Sequence, residues 1–193
     1  PGDLNTPIVY FVDRLRDGKS FTTRRITAIQ HGRAIFNMSR SFHVPESGLD
    51  HQLQMPDVPP PEGLKWELEI IRERADRFPE HLRAVITQDR PIDFRLVESI
   101  DPFDPIKQPP VRHMWIRANG SMPNEALAHQ AVLAYASDYG LLGTALQPHG
   151  RSYRRPDIQV ASLDHSLWLH RPCRLDDWLL YVIDSPVGGG ALR

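Results

Sequence analysis

The sequence predicts an antiparallel α+β protein built from two related halves. Three observations carry this. Residues 1–43 alternate apolar and polar side chains with a period of two, between turn-forming pairs. A helix of small and apolar residues is predicted over 123–139, between strand-like segments. The two ends of the chain repeat one another. Laid over 172–193, residues 1–22 place Pro1 on Pro172, Leu4 on Leu175, Tyr10 on Tyr181, Asp13 on Asp184 and Gly18 on Gly189.

The first half, 1–43, reads as a three-stranded meander. Strands are predicted over 8–15, 20–30 and 33–43. Arg16-Asp17-Gly18-Lys19 and His31-Gly32 supply the turns. Ala34, Phe36, Met38 and Phe42 share one face of the third strand and call for a cover of roughly helix size. Residues 44–91 form a linker with a short helix. VPES and MPDVPPPEG exclude a helix or a central strand, and an amphipathic pattern resumes over 64–78. The second half, 92–193, opens with strands over 92–99 and 111–118. Pro123 then starts the helix and Gly140 ends it. A helix apolar nearly all round suits a curved sheet wrapped about it, and equally a layer of an α/β fold. The strands of both halves are expected to join in one antiparallel sheet.

The segment 161–185, ASLDHSLWLHRPCRLDDWLLYVIDS, reads as a hairpin around a turn at 172–177. With Arg171 opposite Trp178, Trp168 faces Tyr181 and Asp164 faces Ser185. Opposed residues have Cβ atoms roughly 4.5–5.5 Å apart. A carboxylate would then stand beside a hydroxyl, able to hold a water and accept its proton. The plainer alternative is an Asp at a strand end bonded to a Ser.

Composition narrows the function classes. With 40% hydrophobic and 24% charged residues the chain is globular rather than disordered. A net charge of −1 offers no basic field for nucleic acid. Proline, 18 of 193 residues, stands well above the usual share of about 5% and predicts long connections. One cysteine, Cys173, allows no intrachain disulfide and suits a reducing, cytoplasmic setting. No apolar run is long enough for a membrane span. Zinc-ligand spacings are absent, so His129, His149, His165 and His170 read as packed or hydrogen-bonded histidines; a metal site is not expected. His165 as a general base is a weaker alternative. No G-x-S-x-G elbow occurs, which disfavours a serine nucleophile. RSYRRP, with Arg151, Arg154 and Arg155, suits phosphate contact or is simply an exposed polar loop.

DHSLWLHRP followed by WLLY and DSP resembles the C-terminal half of the type II acyl-CoA thioesterases. So, in order, do LRDGKSFTTRRITAIQHGRAIFNMSRSF, WIRANG, HQAVLAYASD and ALQPHG. The resemblance implies a double hot-dog fold, hydrolysis of fatty acyl-CoA by activated water, no cofactor, and a homo-oligomer. It implies an Asp, a Ser or Thr, and a Gln around the water. Asp164 matches the Asp and Ser185 the hydroxyl. No Gln follows Gln159, so the third group is absent. The resemblance further implies that the chain is the middle of a longer protein, lacking both ends. Backbone amides at the start of the 123–139 helix are candidates to meet the thioester oxygen. Arg151, Arg154 and Arg155 are candidates for the coenzyme A phosphates. The competing reading is a non-catalytic acyl-CoA-binding or interaction module, for which a packed, salt-bridged Asp164 with no pocket beside it would speak.

Overall fold

The computed structural model describes residues 2–98, 101, 103–153 and 157–189. Two compact units divide at Met55/Pro56, inside the Pro-rich segment. Each carries a three-stranded antiparallel sheet, ordered β1-β2-β3 and β4-β5-β6. The single continuous sheet expected from the sequence is therefore two sheets, with no strand pair joining them among the described residues.

In the first unit, β1 (Val9–Asp17), β2 (Phe21–Gln30) and β3 (Arg33–His43) form the predicted meander. His31 and Gly32 both take positive φ, 49° and 70°, the backbone that a tight hairpin turn requires. Gln30 is buried and its side chain closes the sheet's end. Its amide donates to the carbonyls of Asp3 and Thr6, and its oxygen accepts from the Asp3 N–H. The apolar faces are otherwise bare. Phe36 is 52% exposed and Met38 38%, as their uncovered position in the sequence predicts.

The second unit holds the core. β4 (Ile92–Leu96) and β5 (Val111–Ala118) turn Ile92, Phe94, Met114, Ile116 and Ala118 to one face. Ala136 of α3 (Ala126–Ala136), Leu175 and Ile183 of β6 (Leu179–Asp184) complete the cluster. Cys173 packs against it, and burial pushes its thiol up. α4 (Leu141–Leu146) follows α3 directly. Gly140 makes the bend at φ 84°, where a Cβ would lie 2.7 Å from Ile183 Cδ1 and 2.8 Å from Met114 Cε. α3 begins three residues after Pro123, and only one of its faces is covered. His129 and Ala136 are buried while Leu127 is 63% exposed, so the expectation of burial on most sides does not hold within this chain. The core side of a three-stranded sheet contacts a helix along a single stripe.

The opposite face of this sheet carries the linker. Trp115 Nε1 donates to the Pro59 carbonyl at 2.8 Å, and Arg95 Nη1 to that of Pro61 at 2.9 Å. Arg95 and Arg117 stack on Trp178, their guanidinium carbons 4.7 and 4.3 Å from the ring centre, and Asp93 accepts from Arg95. The predicted 64–78 helix is α1 (Glu67–Glu73) followed by a 3₁₀ turn. α2 (Glu80–Ile86) comes next, an element the sequence reading did not anticipate.

The predicted 161–185 hairpin does not form. Residues 158–170 have no strand structure, and β6 takes its hydrogen bonds from β5, with Val111 opposite Asp184 and Met114 opposite Tyr181. The register that set Asp164 against Ser185 is absent. Period-two alternation makes a segment compatible with a pleated sheet without choosing its partner. Here β5 supplies that partner.

Candidate active site

Asp164 lies in the irregular 158–170 segment, exposed, with no hydrogen bond or ion pair among the described residues. What holds its backbone is the next residue. His165 Nε2 is 2.8 Å from Ser137 Oγ at the C-terminal end of α3. Ser137 is buried, and its hydroxyl donates to the Ala134 carbonyl at 2.8 Å, so it accepts from an Nε2–H of His165. His165 Nδ1 faces Asp138 Oδ1 at 4.0 Å. The Ser137 carbonyl in turn accepts from the Tyr181 hydroxyl at 2.6 Å. Burial, then the nearby Asp138 carboxylate, push the Tyr181 phenol up, so it stays a donor. α3, β6 and the Asp164 segment are thus tied at one point. Because the segment is not a strand, no pleat fixes the direction of His165 relative to Asp164. His165 is an anchor, and its ring donates rather than accepts toward Ser137, which is the wrong direction to activate that hydroxyl.

Ser185 sits past the end of β6, partly buried, its N–H donating to the Pro110 carbonyl at 2.8 Å. It is four residues beyond Tyr181, about 13 Å along an extended chain. No sheet register brings it to Asp164. The free amides of α3 are at the helix's other end. Ala126 and Ser137 are about 16 Å apart at 1.5 Å per residue. The helix end that offers amides to an oxyanion is not the one that anchors the Asp164 segment.

His129, in the first turn of α3, is buried. Its Nδ1 accepts from the Leu175 N–H at 3.0 Å, which leaves the proton on Nε2 without a partner. Asp176 Oδ1 is likewise buried and unpartnered. The hydrogen bond from Arg174 chiefly holds the Asp176 carboxyl below its usual range. Among the described residues no three His, Cys, Asp or Glu side chains gather as a metal site. Arg151 pairs with Asp157 at 3.3 Å, both half exposed. Arg154 and Arg155 lie outside the described residues.

Sequence reasoning missed Ser137, the partner of the anchor, and Arg112, a cation on the core face of β5. The signal for Arg112 was present: period-two counting back from Met114 puts it on the buried side.

The model of the acyl-CoA thioesterase family matches residues 82–192. This chain belongs to the acyl-CoA thioesterase family. The chain is 38% identical to acyl-CoA thioesterase 2 of Haemophilus influenzae over 96% of its own length and 65% of that protein's. It is 40% identical to acyl-coenzyme A thioesterase 8 of Mus musculus, over 98% of this chain and 61% of the other. The crystal structure of an acyl-CoA thioesterase II from Mycobacterium marinum superposes with a TM-score of 0.75 at 36% identity, covering 98% of this chain and 65% of that one. A protein from Alicyclobacillus acidocaldarius described as having a hot dog fold matches at TM-score 0.53 and 21% identity, a likeness of fold alone. This thioesterase-family chain, an α+β hot-dog structure, spans less than two thirds of the length of those curated relatives.

Proposed function

We propose that the full-length protein hydrolyses fatty acyl-CoA to free fatty acid and coenzyme A by direct attack of water. Asp164 takes a proton from the water as the oxygen bonds to the thioester carbonyl carbon. The tetrahedral adduct collapses, the carbon–sulfur bond breaks, and the proton passes from Asp164 to the departing thiolate. One water and one thioester give one carboxylic acid and one thiol. The Ser185 hydroxyl orients the water, and Arg151, Arg154 and Arg155 meet the coenzyme's phosphates. The observation that carries this reading is Asp164 itself. It is a solvent-facing, uncompensated carboxylate, on an anchored segment of a chain whose family relatives are named for thioester hydrolysis. Asp164 is exposed rather than packed and salt-bridged, which supports the hydrolytic reading over an acyl-CoA-binding module. The proposal extends to a cytoplasmic setting, on the single cysteine. It extends also to a homo-oligomer, on the apolar side chains β1 and β3 leave exposed. No helix of the described residues is long and apolar enough to cross a membrane.

The test is release of free thiol from acyl-CoA by the full-length protein. Asp164→Asn removes the proton acceptor and is expected to lower the rate by about 10²–10⁴-fold. Ser185→Ala is expected to cost less, because the base still holds the water. Equal losses would overturn the division of roles, and an unimpaired Asp164→Asn would overturn the reading.

A further inference from the structure

Arg112 continues the face of β5 that buries Met114, Ile116 and Ala118, a core position for a side chain that is always charged. Gly143 lets it lie there: a Cβ at that position would stand 3.0 Å from Arg112 Nη1. Its Nε donates to Gln147 Oε1 at 2.9 Å, and Gln147 is held in turn by the carbonyls of Pro109 and Val111. No carboxylate pairs with Arg112 among the described residues. Arg112 lines a cavity of about 100 Å³ together with Ile70, Leu96 and Ile106.

The other charges at this cavity are already neutralised. Glu67 pairs with Arg90 at 3.1 Å, Asp101 with Arg74 at 3.0 Å and Arg77 at 3.5 Å, and Arg151 with Asp157. Glu67 and Glu98, themselves paired with Arg90 and His113, act on Arg112 only at a distance, so its partly buried guanidinium has no carboxylate in contact at the head of an apolar-walled space. Burying a charge without a counter-ion is costly, and a guanidinium does not escape by losing its proton. A single negative charge restores the balance, and a planar carboxylate matches the two free Nη groups. The walls ask for a short hydrocarbon body. A cavity of about 150 Å³ accommodates six-carbon benzene, so one of about 100 Å³ takes about four carbons of an alkyl chain, five at most, with the carboxylate at its mouth on Arg112. Coenzyme A is far too large for it.

We propose that the cavity between α1, β4, β5 and α4 is a binding site for a short-chain monocarboxylate, its carboxylate on Arg112 and its alkyl chain against Ile70, Leu96 and Ile106. The site is separate from Asp164, and the inference stands or falls independently of hydrolysis.

Binding of sodium hexanoate to the full-length protein, followed by calorimetric titration at fixed ionic strength, tests it. A Kd of about 1 mM is expected for so small a ligand. In the wild-type protein, each methylene added from acetate through butyrate to hexanoate is expected to tighten binding about fourfold. Arg112→Met keeps the bulk, removes the charge, and is expected to weaken hexanoate about ten- to a hundredfold, while Arg112→Lys, which keeps the charge but not the two-pronged match, is expected to lose less than Arg112→Met. Hexanoate bound no better than chloride or inorganic phosphate would overturn the proposal. So would affinity indifferent to chain length, a result that does not depend on whether the variants fold. Displacement of hexanoate by coenzyme A would assign the cavity to the substrate and overturn a separate site.

Discussion

The two sheets of this chain have the same number of strands and the same antiparallel order, and they treat apolar residues in opposite ways. In β4-β5-β6, Ile92, Phe94, Met114, Ile116 and Ile183 are buried beneath α3 and Leu175. In β1-β2-β3, Phe11, Val12, Phe36, Met38 and Phe42 are exposed, and Ala28 is the one buried hydrophobic residue of the unit among the described residues. Propensity and alternation, which the two share, make strands. They do not make a core. A sheet face becomes stabilising when something covers it, at roughly 25 cal/mol per Å² of apolar surface removed from water. Only the second sheet has that cover within the chain.

The sharpest way to break the comparison is a pair of matched truncations. Phe94→Ala leaves a cavity in a packed core and is expected to destabilise by about 3–5 kcal/mol, read as a lowered denaturant midpoint. Phe36→Ala, measured on the 193-residue chain as a monomer, removes a half-exposed ring and is expected to stay within about 0.5 kcal/mol. If Phe36→Ala costs as much as Phe94→Ala, something covers the first sheet in solution and the contrast dissolves. Glycines give a finer version. Gly32 and Gly140 both have positive φ, but only Gly140 faces side chains where a Cβ would go. Gly32→Ala should cost about 1–2 kcal/mol for the left-handed backbone alone. Gly140→Ala adds the collision with Ile183 and Met114 and should cost about 1–3 kcal/mol more. Equal thermal shifts would mean the core yields easily.

The smallest expected effect is on acid stability. The Asp101 carboxyl is held below its usual range, first by the Phe103 N–H and then by Arg74 and Arg77. A carboxylate with a folded pKa below its unfolded value of about 3.9 stabilises fully above that value. That contribution is lost as the pH falls through the folded pKa. Asp101→Asn should therefore flatten the stability–pH curve of the second unit below about pH 4 and leave the rest of the curve parallel to wild type. An unchanged acid slope would show that the carboxylate keeps its partners when unfolded.

Much of the fold was legible in the sequence because local chemistry set it. β3 and β5 run where the alternation put them, and His31-Gly32 turns where two positive φ angles were needed. What failed was long-range pairing. LDHSLWLH has the alternation of a strand, but the partner it seemed to match, β6, takes its bonds from β5, 67 to 73 positions away in the pairs Met114–Val111 form with Tyr181–Asp184. The site was legible in part. Asp164 could be singled out from its neighbours DHSLW, whereas the Ser137–His165 contact joins residues 28 apart and has no local signature. Arg112 went unnoticed because charged residues at core positions are rare enough to be assigned to the surface by default.

Cys173 gives the second unit a built-in gauge. The chain's one thiol is half-buried against the core cluster and burial raises it above its ordinary value, so little thiolate is present in the packed state. A thiol-modifying reagent reacts faster when that part of the core opens. The rate gained over that of the packed state reports the population in which the core has opened. The first unit has no cysteine and is silent to the same reagent. One reaction in one tube thus reports the breathing of one half of the molecule, without a label and without an engineered residue.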